Sequence, residues 1–141
     1  MPDQNLYQPQ NDLITMTTDT TPTLPAANAI PICNVDIVLL DDNQVFADAF
    51  KFRFLRKKIH HFLDPGEFLT ECQQYDKDTV ICIDNDFGMV TPVRGVQVAE
   101  QLHALGFTRL FLVSGTYFSE DLLPDYLIFI EKINLEFFNV L

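Results

Sequence analysis

Cationic side chains are scarce in this chain of 141 residues: nine Lys and Arg stand against twenty Asp and Glu, a net charge of −11 with the histidines neutral. That balance argues against general nucleic-acid binding and against adhesion to anionic membranes. Long apolar runs are missing too, since none exceeds six residues, far short of the ~20 that cross a bilayer as a helix. No basic start followed by an apolar stretch opens the chain, which speaks against a secretory signal. Cysteine is sparse and odd in number: Cys33, Cys72 and Cys82 make neither a disulfide framework nor a zinc site. They fit small core residues in a reducing cytoplasm. Apolar residues, by contrast, reach 48%, and thirteen residues are Phe. A core can therefore be buried, and global disorder is excluded. The length is that of one domain.

The chain changes character near residue 32. Residues 1–32 hold three acids, five of the eight prolines and no Lys, Arg or Gly. Thr15 to Pro25 carries six threonines with neither helical nor strand periodicity, which predicts a disordered Thr/Pro-rich tail. Residues 33–141 form the predicted domain. From Asn34 onward nine cations face seventeen acids, and no internal repeat is visible.

Four apolar runs each stop at a polar residue. They are Asp36-Ile-Val-Leu-Leu40 before Asp41 and Asp42, and Thr79-Val-Ile-Cys-Ile83 before Asp84. Arg109-Leu-Phe-Leu-Val113 follows before Ser114, then Tyr126-Leu-Ile-Phe-Ile130 before Glu131 and Lys132. Continuous rather than alternating runs of this length predict strands buried on both faces, as in a parallel sheet covered by helices. A poorer run, Ile59 to Leu63, predicts one more strand. Between the runs lie helical patterns. Gln44 to Lys58 places Phe46, Ala49, Phe50 and Phe54 on one side, apart from Lys51, Arg53, Arg56, Lys57 and Lys58. Pro65 to Tyr75 opens with Asp64-Pro65, an N-cap and a first-turn proline. Gly95 to Leu105 repeats apolar residues at helical spacing and stops at Gly106. Alternating strands and helices predict a doubly wound α/β domain on a five-stranded parallel sheet.

Ligand sites in such sheets lie beyond the carboxyl ends of the strands. Asp41, Asp42, Asp84, Ser114 and Lys132 therefore share one edge. Three crowded carboxylates need a cation, and an oxygen-only ligand set favours Mg²⁺. A carboxylate beside Mg²⁺ is a nucleophile toward phosphorus. The Ser114 hydroxyl and the Lys132 ammonium are suited to stabilise added phosphoryl oxygens.

This order of residues resembles the receiver domain of two-component response regulators, a flavodoxin-like fold, over residues 36 to about 135. The anchors are the acidic pair Asp41-Asp42, the lone Asp84, Ser114 in LFLVSG and Lys132, each at a strand end; VRGVQVAEQLHALG is similar to the third helix of that family. The resemblance implies that Asp84 accepts a phosphoryl group from a histidine kinase or phosphotransfer protein. It implies Mg²⁺ held by Asp41, Asp42, Asp84 and the backbone carbonyl of Asp86. Ser114 and Lys132 would bind the phosphoryl group, and Phe129 would be the aromatic that swings inward on activation. It further implies a conformational switch acting on a downstream protein target, not a conventional enzyme, with neither direct nucleic-acid binding nor a membrane.

The sequence also departs from that pattern. The loop from Asn85 to Arg94 is long, and Gly88 stands where proline is usual. Seventeen residues separate Ser114 from Lys132, roughly one helical turn fewer than expected. The fourth helix, predicted over Ser119 to Leu123 and closed by Pro124, must then be short. Ile133 replaces the proline that follows the lysine in the family, and nine residues remain after Lys132, too few for a full fifth helix. Asn134, Phe137, Phe138 and Leu141 could line one face of a short helix, hinting at a homodimer or a docking contact through the C-terminal face. The expectation is a single-domain shuttle or the front piece of a longer protein.

Two rival readings use the same residues. Asp84-Asn85-Asp86 matches the D-x-D of haloacid-dehalogenase-like phosphatases, in which the second Asp is a general acid; that family, however, carries its acidic metal pair last, whereas Asp41-Asp42 comes first. The other rival is a degenerate receiver that binds a partner without phosphorylation. The histidines look ordinary: His60 and His61 are adjacent, so on a strand they face opposite sides. The basic run Lys51 to Lys58 reads as a solvated or kinase-docking face.

Overall fold

The computed structural model describes residues 34–116 and 119–134. The predicted tail, Cys33, and the end of the chain with Phe137, Phe138 and Leu141 lie outside the described residues. Five parallel strands, β1 (Ile37–Leu40), β2 (Ile59–Phe62), β3 (Val80–Ile83), β4 (Leu110–Ser114) and β5 (Leu127–Glu131), form one sheet in the order β2-β1-β3-β4-β5. Three helices, α1 (Gln44–Arg53), α2 (Pro65–Glu71) and α3 (Gly95–Ala104), connect them. After β1 the chain moves outward to β2, then returns across β1 to add β3 on its other side. The reversal opens a crevice beyond the ends of β1 and β3, where Asp41 and Asp84 stand.

The continuous apolar runs have a direct cause. Val38, Leu40, Ile81, Ile83, Leu110 and Leu112 enter a core with Phe68, Val98, Leu102 and Phe107. Their neighbours Ile37, Leu39, Val80, Cys82, Phe111 and Val113 enter a second core with Ala47, Phe50 and Phe54. Alternate side chains thus leave the central strands in opposite directions, and both directions are dry. Cys72 and Cys82 are buried free thiols, one in each core, and burial pushes both pKa values up. No described helix is long and apolar enough to cross a membrane.

Local signals account for the helix starts. The Asn43 side chain accepts from Phe46 N–H at 3.0 Å, and that of Asp64 accepts from Gly66 N–H at 2.8 Å with Pro65 in the first turn. Gln97 reaches back to Arg94 N–H at 2.8 Å, and Gly106 follows α3 with φ +103°.

Several expectations are corrected. The first helix ends at Arg53 rather than Lys58, and Lys58 instead leads into β2: its N–H donates to the Asp36 carboxylate at 2.7 Å and its carbonyl accepts from Asp36 and Ile37 N–H. Arg56, Lys57 and Lys58 are therefore not on a helix face. Ala47, not Ala49, joins Phe50 and Phe54 inside, and Phe52 is 75% exposed. The second helix stops at Glu71 and continues as a 3₁₀ turn, Cys72–Gln74, which lowers Tyr75 into the core. The fifth strand is not buried on both faces: Ile128 is 48% exposed and Phe129 half-buried. It is a sheet edge, and the described part of the β4–β5 crossing holds only a 3₁₀ turn, Glu120–Leu122, where the short fourth helix was expected. His103 stacks on Tyr126 with ring centroids 3.8 Å apart, joining the end of α3 to the residue before β5.

Candidate functional site

Asp41 is the first residue past β1. Its N–H donates to the Phe62 carbonyl at 3.1 Å, and its Oδ1 accepts from Asn43 N–H at 2.8 Å. The residue is 1% exposed, and Oδ2 is buried without a hydrogen bond. What faces that oxygen is a charge: Lys132 Nζ at 2.9 Å. Asp84 follows β3 in the same way, with its N–H on the Leu40 carbonyl at 2.8 Å, so the β1–β3 ladder fixes both acids side by side. Asp84 Oδ1 lies 3.6 Å from the same ammonium.

Asp41, Asp42 and Asp84 bring carboxylate oxygens within 4.8 Å of one another. The crowding shows in the proton affinity of Asp84, whose pKa rises from 3.8 to about 6. Burial is the main cause and the Asp41 charge the next; Lys132 and the Asn85 N–H pull the other way, and Asp42 adds to the rise. Three acids against one lysine leave a negative, oxygen-only pocket with one buried carboxylate oxygen lacking a hydrogen bond. That donor set fits a small hard divalent cation such as Mg²⁺.

Ser114 ends β4, buried, with Oγ accepting from Thr116 N–H at 3.1 Å. Lys132 begins past β5, and its N–H donates to the Ser114 carbonyl at 3.0 Å. Its ammonium stands 4.4 Å from the Phe46 ring centroid, a contact with the negative face of the ring. Ile133, which takes the place of proline, is 93% exposed. Phe46 supplies a seat for the lysine head.

The structure thus brings Asp41, Asp42, Asp84 and Lys132 together at the ends of the sheet, with Ser114 bonded to Lys132 through the main chain. Asp86 and Phe129 stand differently. The Asp86 carboxylate is exposed, bonded to Gly88 N–H at 2.9 Å and 3.8 Å from Arg94 Nη1, at the rim of the loop. It is not poised as a general acid over Asp84. Phe129 lies in β5 opposite Leu112 and packs against the α3 side of the core.

Sequence reasoning missed Phe46 as a neighbour of Lys132, and it missed that Gly88 lies against the Asp42 carboxylate. Gly88 has φ +58°, and a Cβ there would stand 2.6 Å from Asp42 Oδ2. Gly88→Ala should then lose about 1–2 kcal/mol of stability from the left-handed backbone alone, and it should turn Asp42 out of the cluster. Urea unfolding and a Mg²⁺ titration check this; a variant as stable and as responsive as the parent would show that Asp42 has no need of the glycine.

No protein-family model matches the sequence, and no curated protein is similar to it. Among solved structures, the chain is similar to a response regulator receiver domain protein (CheY-like) from Methanospirillum hungatei JF-1, with a TM-score of 0.52 and 17% identity, over 74% of this chain and 89% of that one. The fold is therefore that of a CheY-like receiver domain, a flavodoxin-like α/β fold.

Proposed function

We propose that residues 33–141 are a phosphoacceptor receiver domain behind a Thr/Pro-rich tail, modified on Asp84 by a histidine kinase or phosphotransfer protein. The observation that carries this reading is the convergence of three carboxylates on one ammonium at the switch point of the sheet. An Asp84 oxygen attacks the phosphorus of a phosphoimidazole; the P–O bond forms as the P–N bond breaks, and the imidazole leaves with the nitrogen electron pair. Asp41, Asp42, Asp84 and the Asp86 carbonyl would hold Mg²⁺, which neutralises phosphoryl charge when bound. Lys132 pairs with the phosphoryl oxygens, and the Ser114 hydroxyl turns from Thr116 toward them. With its pKa near 6, Asp84 is ionised at neutral pH and able to attack.

Ser114 and Phe129 lie on adjacent strands, so a change at one reaches the other and the exposed edge at β5, where a downstream target or a second copy would dock. The exposed end of α1, with Lys51, Arg53, Phe52 and the following Leu55, suits the phosphodonor partner. The setting we infer is cytoplasmic, in a phosphorelay.

The test is intact-protein mass after incubation with acetyl phosphate, with and without Mg²⁺, on the parent chain and Asp84→Asn. One phosphoryl group gained by the parent alone, and only with Mg²⁺, is the expected result. A second reading, favoured by the reduced β4–β5 crossing, is a receiver fold that engages its partner without phosphorylation; no gain together with no Mg²⁺ binding would select it.

A further inference from the structure

One neighbour of the acidic cluster comes from outside the strand ends. His61, in β2, stands opposite Leu39 in the parallel register, and its Nε2 lies 2.7 Å from the carbonyl oxygen of Asp41. A carbonyl only accepts, so the imidazole donates through Nε2–H. The place is one that the sheet itself leaves open. Asp41 N–H makes the last bond of the β1–β2 ladder, to Phe62, and the chain then turns away at Leu63 and Asp64 to begin α2. The next main-chain donor of a parallel ladder, the N–H of Asp64, does not make that bond, and a side chain three residues back along the chain fills the gap. His60, facing the other way, instead meets the Tyr75 hydroxyl at 2.8 Å.

The carbonyl that His61 holds belongs to the peptide joining Asp41 to Asp42. Asp41 is tied to the sheet through its own N–H, so rotation about its Cα–C bond leaves its side chain in place and swings Asp42, which changes the spacing of the two carboxylates. On its far side Asp41 is held by Asn43 N–H on Oδ1, and Oδ2 faces the Lys132 ammonium at 2.9 Å. Two donors, one on the carbonyl and one on the carboxylate, therefore orient the residue. We infer that His61 is a positioning residue of the acidic site, whose N–H sets the Asp41–Asp42 peptide and so the spacing of two carboxylates for a divalent cation. The inference rests on the reading of the site as one for Mg²⁺.

The test uses the full chain in three forms: parent, His61→Leu and His61→Gln. Glutamine keeps an N–H at similar reach, and leucine has none. Mg²⁺ is titrated by calorimetry, and the ¹⁵N resonance of the Asp42 amide, the nitrogen of the peptide in question, is read in EDTA. His61→Leu should bind Mg²⁺ about tenfold more weakly, as outer-shell partners of metal ligands do when removed, and should move the Asp42 resonance. His61→Gln should stay within about threefold of the parent and leave the resonance near its place. Parent-like Mg²⁺ binding in His61→Leu would overturn the inference, and so would an unmoved Asp42 resonance. If the parent bound no Mg²⁺, the reading of the site would fail, while the Asp42 resonance would still decide whether His61 sets the peptide. Should His61→Leu not fold, His61→Phe keeps the ring without the N–H and takes its place in both measurements.

Discussion

Asp84→Asn will be more stable than the parent chain at pH 7 to 8 in EDTA, by up to about 3 kcal/mol, and the gain will fade toward pH 4. The folded chain holds the Asp84 proton more tightly than the unfolded one, with a pKa of about 6 against 3.8. An acid raised in this way favours the native state below pH 3.8, where the carboxyl is protonated in both states. Between the two values the native state binds the extra proton, so stability falls as the pH rises, and above about 6 the loss is complete. The gap corresponds to roughly 3 kcal/mol at about 1.4 kcal/mol per pH unit. Asparagine removes the charge that burial and Asp41 oppose, and its carbonyl oxygen can still accept from Asn85 N–H. Lys132 loses one partner at 3.6 Å and keeps Asp41 at 2.9 Å. Mg²⁺ should then stabilise the parent chain and leave the variant almost unchanged. Urea titrations at pH 4, 6 and 8, with and without Mg²⁺, measure all of this. An Asp84→Asn chain no more stable than the parent at pH 8 in EDTA would mean that burial and the neighbouring charges do not oppose the ionised Asp84 carboxylate.

The second large effect concerns Gly95, the first residue of α3. A Cβ there would stand 2.2 Å from the Asp84 carbonyl oxygen and 2.8 Å from the Cα of Asn85. Both are main-chain atoms at the end of β3, and neither can turn aside as a side-chain tip can. Asp84 N–H is tied to Leu40 O, and Gly95 N–H is tied to Asn85 O at 3.0 Å. Gly95→Ala must therefore push α3 back by about 1 Å to restore ordinary contact, drawing Val98, Ala99 and Leu102 out of a dry core. A loss of about 3 kcal/mol is expected, at the upper end for overpacking, with weaker Mg²⁺ binding because Asp84 itself lies under the clash. Gly115→Ala is the control, since a Cβ there meets nothing within 4 Å. Equal midpoints for the two variants in urea would refute the account.

Strain of this kind gathers where the chemistry is proposed. The raised pKa of Asp84, the left-handed Gly88 and the tight approach of Gly95 lie within one crevice. A rigid sheet that holds like charges together is what allows a cation or a phosphoryl group to relieve them.

How much of this was legible depends on distance along the chain. The runs ending at Asp41, Asp84 and Ser114 could be read because a strand dry on both faces demands four or five apolar residues in succession, and the first polar residue marks where it leaves the core. Asp64-Pro65 and Gly106 could be read because capping is a matter of a few neighbouring residues. The end of α1 could not: apolar and basic residues continue to Lys58, and it is the bond to the Asp36 carboxylate, 22 positions away, that holds Lys58 at the entry to β2. The exposure of Ile128 was equally hidden, since YLIFI reads as a central strand until the sheet order places it at an edge.

The sequence by itself determined the class of fold and the polar residues that close each strand, because both follow from side-chain period and local backbone preference. The tertiary structure alone decided which atoms meet. Asp41 and Lys132, 91 positions apart, come within 2.9 Å, Phe46 turns its ring to the same ammonium, and His61 reaches the peptide between two acids. Those contacts depend on the register of parallel strands and on where a neighbouring ladder stops, quantities set by the packing of the whole sheet and written in no single stretch of chain.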